Sequence, residues 1–396
     1  MSPHAEHCAG KKVASLRDIA TACGVAISTV SLALRDDPRV TPATTAKIRA
    51  VAAQLGYDPL LNDAARRLLS RQKADVPVNN IIGLIFPRGY HQVNYFNTLA
   101  SGIMDVLDSA GFALLTIRIP ASTADTSRRD IPLIFRRGEV DGLLLFAEDG
   151  TEQFIAALRN TPGFGNRPVV NLIHPHADES SVYTDDALGA YQSTCHLIAL
   201  GHRHIAHTMQ QEYATTQEIA ENISRRLRGV RRAMEEHNLN PEIYLHYLIM
   251  DYQWMIPQYL PSQNGTGMTL PVENRTSEHP FIQQLHKYPD LTAILAHNDA
   301  VAIQIWYLLH AVGIRVPQEI SLIGFDDTDP MMNLMGANVL SSVSVPLYQV
   351  GQEAAILLLQ QITEQHTTKA QCCLPTSFIN RSSTARNMRV LHNLAK

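Results

Sequence analysis

The residues most suggestive of a specific chemistry lie near the start of the chain, between Leu16 and Leu34. Ala20 is small enough for a close helix crossing, and Gly24 follows four residues later, where a turn favours a residue that tolerates positive φ. Val30 follows six residues after Gly24, as an apolar plug. This spacing predicts two short helices locked at a steep angle, the helix-turn-helix unit that places one helix in a DNA groove. The alternative is an ordinary helical hairpin inside a larger core.

Other reactive residue types form no recognisable catalytic or metal site. His202, His204 and His207 have a spacing that metal ligands sometimes adopt, but no carboxylate or cysteine lies beside them in the sequence. The five cysteines fit no zinc or redox spacing. We find neither a nucleophile elbow nor the glycine-lysine pattern of a phosphate-binding loop. We therefore expect a chain that is not an enzyme, with no cofactor and no metal site.

The composition predicts two or three domains of a soluble type. The chain has 396 residues, of which 45% are hydrophobic. Residues 1–75 contain eleven Lys or Arg against seven Asp or Glu, whereas the remainder is acidic, so the basic head suits contact with phosphates. The polar segment Met1–Lys12 does not resemble a signal peptide, and no apolar run approaches the ~20 residues of a membrane span. We expect a cytoplasmic protein with no membrane partner.

Two further helical patterns follow the helix-turn-helix. Thr41 is a favourable cap, and Pro42 suits the first position of a third helix, where the missing N–H is not needed. A short pattern from Leu60 to Ser70 then precedes a polar linker. We predict an all-α helix-turn-helix DNA-binding domain over residues 1–59 and a hinge helix with a linker over residues 60–80.

From Ile81 onward, short continuous apolar runs alternate with helical stretches. Such runs are typical of parallel strands that are buried on both faces. The alternation predicts an α/β domain with doubly wound parallel sheets, and about 315 residues divide better into two lobes than one. Ligands of such folds bind beyond the carboxyl ends of the strands. We predict a domain over 81–396 with an N-lobe at about 81–190 and 326–345, and a C-lobe at about 191–325 and 346–396.

Ordered motifs along nearly the whole chain resemble the LacI/GalR family of bacterial transcription regulators. In the head, these motifs are Leu16–Ala20, Gly24–Val25, Ser28–Ser31, Val40–Thr41 and Leu55–Pro59. In the body, they are Gly138–Leu143, Arg226–Gly229, Asn298–Asp299, Ile323–Asp327 and Thr376–Thr384. The resemblance implies a two-lobe domain, similar to periplasmic binding proteins, that binds an effector and forms the dimer.

The resemblance also implies how the head contacts double-stranded operator DNA. The second helix would lie in the major groove, with Ile27 and Ser28 at base edges and Thr29 and Ser31 on phosphates. Leu32 stands where many relatives have a polar base reader, so direct hydrogen-bonded readout is weaker there.

The segment after Tyr57 resembles the family's hinge helix, which forms on DNA and inserts a leucine into the minor groove. Arg66 lies in the matching segment, and Leu68 is the candidate wedge. Leu69 remains open as the wedge, because the spacing from Tyr57 is longer than in the family. A plain amphipathic linker helix with solvated arginines is the alternative.

The resemblance further assigns an effector site in the cleft between the lobes. The candidate residues are Tyr95, Phe96, His174, Arg226, Tyr252 and Asp299. Aromatic rings suit the apolar face of a sugar or a base, and a guanidinium with a carboxylate reads hydroxyls or a carboxylate. His174 replaces an Asp-Arg pair that is common in the family. The alternatives are core positions for the aromatic residues, a structural ion pair for Arg226 and a helix cap for Asp299.

The sequence therefore predicts a homodimeric repressor of pseudo-palindromic operators, controlled by a small polar effector such as a sugar. A solute-binding protein of a sugar transporter is the alternative, since it shares the two-lobe fold. The segment Tyr244–His279 is longer than expected and rich in aromatic residues, proline and glycine. It is either a lid over the cleft or a surface loop.

Overall fold

A computed structural model describes most of the chain. The described residues are 14–34, 37–55, 57, 79–87, 93–119, 131–146, 151–210, 221–250, 279–364 and 369–387. The chain divides into two compact units, Met1–Asn79 and Asn80–Lys396. The predicted hinge helix, with Arg66 and Leu68, lies outside the described residues, and so does Tyr252.

The first unit contains the three predicted helices. They are α1 (Leu16–Cys23), α2 (Ile27–Ala33) and α3 (Pro42–Gln54). Their small core consists of Ile19, Ala20, Cys23, Val30, Ala33, Ile48 and Ala52. The angle of 102° between α1 and α2 confirms the steep crossing that the spacing predicted.

Local capping explains where the helices of the first unit begin and end. Ser15 and Asp18 form a capping box, in which the Ser15 N–H donates to Asp18 Oδ2 at 2.7 Å and the Asp18 N–H donates to Ser15 Oγ at 3.3 Å. Gly24 ends α1 in the left-handed region at φ 70°. Thr41 caps α3, and Pro42 occupies its first turn.

The second unit consists of two six-stranded sheets with helices packed around them. Its strands are β1 (Ile81–Pro87), β2 (Ala113–Ile119), β3 (Gly142–Phe146), β4 (Val169–Ile173), β5 (Ser180–Asp185), β6 (Ile205–Gln210), β7 (Leu245–Met250), β8 (Ala293–Leu295), β9 (Ser321–Asp326), β10 (Ser341–Ser344), β11 (Gln371–Pro375) and β12 (Ser377–Ile379). Its helices are α4 (Val93–Ser109), α5 (Leu133–Arg136), α6 (Thr151–Arg159), α7 (Asp186–Ala199), α8 (Glu221–Glu236), α9 (Pro241–Tyr244), α10 (Pro280–Leu285), α11 (Asp299–Ala311) and α12 (Leu347–Glu364).

The first sheet has the order β11-β5-β4-β3-β1-β2, and all of its strands are parallel. The second sheet has the order β12-β10-β9-β8-β6-β7 and is parallel except for the pairing of β12 with β10. Strands β3, β4 and β9 are buried along their whole length, as the continuous apolar runs predicted. The expected fold class, two doubly wound parallel lobes behind a helix-turn-helix head, is confirmed.

Two late segments of the chain each lie in the opposite lobe from the one that we predicted. Residues 326–345 were expected in the N-lobe, but β10 pairs with β9 in the second sheet. Residues 346–396 were expected in the C-lobe, but α12 packs on α4 and β11 pairs with β5 in the first sheet. The backbones of α4 and α12 approach so closely that a Cβ at Gly102 would overlap the Tyr348 carbonyl. This backbone packing fixes α12 to the first lobe.

The chain consequently crosses between the two lobes three times. The first crossing follows β5, where α7 begins and packs against α8, β10 and β12. The second joins β10 to α12, and the third joins β11 to β12. Three short connections of this kind are suited to a hinge between lobes.

Within the described part of the chain, no single helix has the length and apolar character to cross a bilayer. Helices α1 and α2 have that length and apolar character only when they are counted as one segment, and the two are bent by 102° relative to each other.

Candidate functional site

Helix α2 presents one face of the head to solvent. Val30 and Ala33 are buried in the head core, whereas Ile27 is 43% exposed and Ser28 is exposed beside it. Thr29, Ser31 and Leu32 are half-buried at the edges of this face. An exposed isoleucine at the start of a helix suits apolar contact with a thymine methyl group, and serine suits either a base edge or a phosphate. The predicted DNA contacts therefore lie on the accessible side of α2, although their roles stay predictions.

In the second unit, aromatic side chains gather where β1 and β3 end and α4 begins. Tyr95 is buried and meets the Phe146 ring edge-on, with ring centroids 6.1 Å apart. Phe96 is half-buried, and its ring centroid lies 4.4 Å from that of Phe86. Phe86 and Phe146 are at the carboxyl ends of their strands, the edge at which ligands of doubly wound sheets bind.

Arg226 of α8 is the centre of a buried charge network at the same place. Its Nε donates to Asp186 Oδ2 at 3.1 Å, and its Nη2 donates to Asp326 Oδ1 at 3.4 Å. Its Nη1 donates to the His297 carbonyl, and the guanidinium carbon lies 3.6 Å from the Phe325 ring centroid. Arg226 therefore joins the start of α7 to the carboxyl ends of β8 and β9.

Burial and charge shift the pKa values of this network. Burial raises the pKa of Asp326 to about 7, and the positive charge of Arg226 opposes that shift. Burial, together with the charges of Asp326 and Asp186, raises the pKa of Tyr95 well above its usual value. The Tyr95 hydroxyl thus keeps its proton at neutral pH.

Asp299 contacts a different partner set from Arg226. Its Oδ1 accepts from the Ser342 hydroxyl at 2.5 Å, and its Oδ2 accepts from the Thr328 N–H at 2.9 Å. Burial, followed by the charge of Asp326, raises the pKa of Asp299 well above its usual value. Asn298, rather than Asp299, caps α11 by accepting from the Val301 N–H. Asp299 thus holds the loop that follows β9, and its contact with an effector stays a prediction.

His174 follows β4 and faces a second arginine. Its Nδ1 is buried and has no hydrogen-bond partner among the described residues. Burial, with the added positive charge of Arg225, lowers the pKa of His174 to about 4, so the ring is neutral at physiological pH. Arg225 is 6% exposed, and its Nη2 donates to the Ile173 carbonyl at 3.0 Å.

The three histidines that suggested metal spacing do not converge. His202 Nδ1 lies 2.9 Å from Thr292 Oγ1, and His204 Nδ1 lies 3.0 Å from His246 Nε2. His207 lies inside the second sheet, and burial lowers its pKa to about 3. His202 and His204 thus have different partners, and His207 Nδ1 is buried without a hydrogen-bond partner among the described residues.

Comparisons with known proteins agree with both halves of this description. Residues 15–59 match the family described as bacterial regulatory proteins, lacI family, and residues 194–384 match the periplasmic binding protein-like domain. The transcriptional regulator DegA of Bacillus subtilis (strain 168) is 25% identical over 375 residues, covering 94% of this chain and 98% of the relative. The ribose operon repressor of the same strain is 26% identical over 379 residues, covering 94% and 99%. The chain therefore has a lacI-family DNA-binding domain and a periplasmic binding protein-like domain, and its homologues include regulators of the LacI/GalR family.

Solved structures of LacI-family proteins share the fold of this chain. The Lac repressor dimer bound to operator and the anti-inducer ONPF is 21% identical, covers 94% of this chain and 100% of that one, and has a TM-score of 0.66. The complex of the regulator CelR with cellobiose is 22% identical, covers 93% and 99%, and has a TM-score of 0.59. The match of residues 15–59 to a DNA-binding family favours the regulator over the solute-binding alternative.

The structure brings four of the six predicted effector residues together around the strand ends: Tyr95, Phe96, His174 and Arg226. The sequence interpretation missed Asp186, Asp326 and Arg225. Asp326 had a usable signal, because it directly ends a buried apolar strand, Ser321–Asp326. Asp186 and Arg225 had none, because their partners lie on elements distant in sequence.

Proposed function

We propose that this regulator is a homodimeric, cytoplasmic repressor whose operator affinity is controlled by a sugar or a related polar metabolite bound between its lobes. The observation that carries the proposal is the Arg226 network at the strand ends, with Asp186 on one side and Asp326 on the other. The similar proteins support it, since they include a ribose operon repressor, a CelR–cellobiose complex and a Lac repressor dimer on its operator.

The site has the groups that sugar recognition requires. Arg226 uses one N–H on each of Asp186, Asp326 and the His297 carbonyl, and its remaining N–H groups suit hydroxyl acceptors. Asp326 supplies an acceptor, Tyr95 supplies a hydroxyl donor, and the flat aromatic rings suit the apolar face of a pyranose or furanose ring. The site is therefore suited to recognise both the hydroxyl groups and the ring shape of a sugar.

Direct contacts between the lobes explain how a ligand changes the protein. Asn94 of α4 donates from Nδ2 to Asp329 Oδ1 at 2.7 Å, which ties the first lobe to the loop after β9. Arg225 of α8 donates to the Ile173 carbonyl at the end of β4. A ligand that bridges the lobes binds the closed arrangement more tightly than the open one, and only this difference in affinity shifts the equilibrium.

Operator binding follows from the exposed face of α2, with Ile27 and Ser28 at base edges and Thr29 and Ser31 on phosphates. The hinge segment, with Arg66 and the candidate wedge Leu68, would bend the operator at its centre. Two heads related by the dimer axis would read the two halves of a pseudo-palindromic site.

Operator binding is tested by selecting genomic DNA fragments on the full-length protein and measuring fluorescence anisotropy with the selected duplex at several salt concentrations. We expect sequence-selective binding that weakens as salt rises, because phosphate contacts release counterions. Ile27→Ala should weaken binding to the selected duplex at least tenfold, whereas Gln54→Ala, at the exposed end of α3, serves as a control. Equal affinity for selected and scrambled duplexes would rule out the proposal.

Effector control is tested with Arg226→Lys. Lysine keeps a positive charge between Asp186 and Asp326 but loses the planar fork of donors. We expect the variant to bind operator within about threefold of wild type and to lose the sugar-induced release of DNA. Arg232→Lys, on the exposed side of the same helix, is the matched control. Normal sugar-induced release by Arg226→Lys would show that the effector does not contact this network.

A further inference from the structure

The two adjacent arginines of α8 are unequally satisfied. Arg226 has hydrogen bonds to two carboxylates, Asp186 and Asp326. Arg225 is equally buried, but its hydrogen bond goes from Nη2 to the Ile173 carbonyl, and its nearest carboxylate oxygen, on Asp186, is 3.9 Å away. That oxygen already accepts from Arg226. Arg225 therefore has no carboxylate of its own in the described structure.

Two donor atoms of Arg225 are left over. Its Nε and Nη1 are buried and have no hydrogen-bond partner among the described residues. A buried guanidinium with unmet donors is costly, because the group has lost its water without gaining an acceptor. Such a group is retained at a binding site when a ligand supplies the missing acceptor.

His174, which follows the end of β4, also has a buried polar atom that lacks a hydrogen-bond partner among the described residues. This atom is Nδ1, and His174 follows Ile173, whose carbonyl receives the Arg225 hydrogen bond. The positive charge of Arg225 contributes to the lowered pKa of His174, while the charge of Asp186 acts in the opposite direction. The two side chains are thus close enough for the charge of Arg225 to act on His174.

The charges of the network favour an anion over a neutral group in that region. Two arginines are present, and the carboxylates within 4 Å of them are Asp186 and Asp326, with Asp299 and Asp329 close enough to interact with Asp326. Because burial raises the pKa of Asp326 to about 7, its negative charge is incomplete at neutral pH. A neutral hydroxyl would satisfy an N–H of Arg225 but would leave the surplus positive charge unbalanced.

We propose that the effector carries an anionic group, a carboxylate or a phosphate, that binds Arg225 beside His174. The proposal rests on the proposed function, in which the same cleft binds the sugar ring through Arg226, Asp326 and the aromatic residues. The ligand class becomes a sugar acid or a sugar phosphate, and Arg225 is the residue that selects it.

A matched ligand series tests this on the full-length protein. Calorimetric titrations would use sets that differ at one carbon: glucose, glucuronate and glucose 6-phosphate; galactose, galacturonate and galactose 6-phosphate; ribose and ribose 5-phosphate. We expect an anionic member to bind about 30-fold more tightly than its neutral parent, the factor expected for hydrogen bonds to a charged group. Preference for the uronate or for the phosphate identifies the anion.

Variants of Arg225 connect the preference to this side chain. Arg225→Gln should reduce the ratio of anionic to neutral affinity from roughly 30-fold to near one, and Arg225→Lys should restore part of this ratio. Arg228→Gln, on the exposed side of the same helix, is the matched control.

A second probe does not depend on the sugar. At constant ionic strength, inorganic phosphate in place of chloride should raise the melting temperature of wild type and of Arg228→Gln more than that of Arg225→Gln. Equal shifts in all three proteins would overturn the anion site.

The outcomes of the ligand series separate the two proposals. Tight binding of a neutral sugar, with no preference for its anionic partner, would overturn the anionic effector and leave the proposed function intact. Failure of every neutral and anionic member to bind would refute the sugar-binding function and this inference together.

Discussion

Gly229 on α8 offers the most direct test of how packing positions the effector site. A Cβ placed on Gly229 would lie 2.1 Å from the carbonyl oxygen of Ala187 on α7, whereas ordinary van der Waals contact begins at 3.4 Å. The obstacle is backbone, so no side chain can move aside. In Gly229→Ala the two helices must therefore separate by about 1.3 Å at this crossing, given the density of packed interiors.

The same separation acts on the charge network, because Ala187 follows Asp186 and Gly229 lies one turn after Arg226. The hydrogen bond from Arg226 Nε to Asp186 Oδ2, 3.1 Å long, would be stretched beyond a normal length. Overpacking costs about 3 kcal/mol at the upper end of its range, and alanine regains about 1 kcal/mol of helix propensity. We expect the free energy of unfolding to fall by about 2 kcal/mol.

Urea denaturation of the full-length protein, followed by circular dichroism, measures this loss, and calorimetry measures effector affinity in the same preparation. The matched control is Arg228→Ala. Arg228 directly precedes Gly229, and its exposed ion pair with Glu221 contributes little to stability. An unfolding free energy of Gly229→Ala within about 0.5 kcal/mol of wild type, the usual range for surface substitutions, would refute the reasoning. It would mean that α7 and α8 separate at no cost.

Three further predictions concern the head and the buried histidines. Val30→Ala truncates a fully buried side chain of the head core and should lower the stability of the head by about 2 kcal/mol in calorimetry. The same variant should weaken operator binding in fluorescence anisotropy. An unchanged melting temperature of the head would contradict the burial of Val30 in its core. Ser15→Ala removes the capping box and should cost about 1 kcal/mol in the same melting experiment, and no loss would mean that the cap is not formed in solution. Burial, with the charge of Arg226, lowers the pKa of His207 to about 3, so the unfolded chain takes up a proton below about pH 6.5 that the folded protein does not. The free energy of unfolding should therefore fall by about 1.4 kcal/mol in total between about pH 7.5 and 5.5 because of this residue. In urea titrations His207→Gln should remove that loss, and an unchanged loss would show that the folded protein also protonates His207.

Local sequence signals were sufficient for most of the architecture. The head helices follow from residues that act on their immediate neighbours, such as Ser15 with Asp18 and Pro42 at the first turn of α3. The parallel strands of the second unit were predicted as a class from continuous apolar runs, because burial on both faces leaves a pattern within each strand. Strand β5 (Ser180–Asp185) was missed, since its buried serine and threonine residues look like a loop in sequence.

The site was predictable only in part. Tyr95 and Arg226 were identified from motifs, and the structure places them near one another. Arg225 could not be identified from the sequence, because the role of a buried arginine depends on which hydrogen-bond acceptors surround it in the folded protein. Asp299 shows the reverse: its type and position suggested a ligand contact, whereas its carboxylate accepts hydrogen bonds from Ser342 and from the loop after β9.

The sequence by itself determined that a small DNA-binding bundle precedes a doubly wound domain, since caps, turns and apolar periodicity act over a few residues. Only the tertiary structure decided which lobe receives each late segment. Strand β11 pairs with β5, and a backbone N–H in the residue before β11 reaches Ser180 across 190 residues of chain. Any edge strand offers the same hydrogen-bonding groups, so local preference cannot choose between two sheets. The choice depends on the close packing of α12 against α4, which exists only after both lobes have formed.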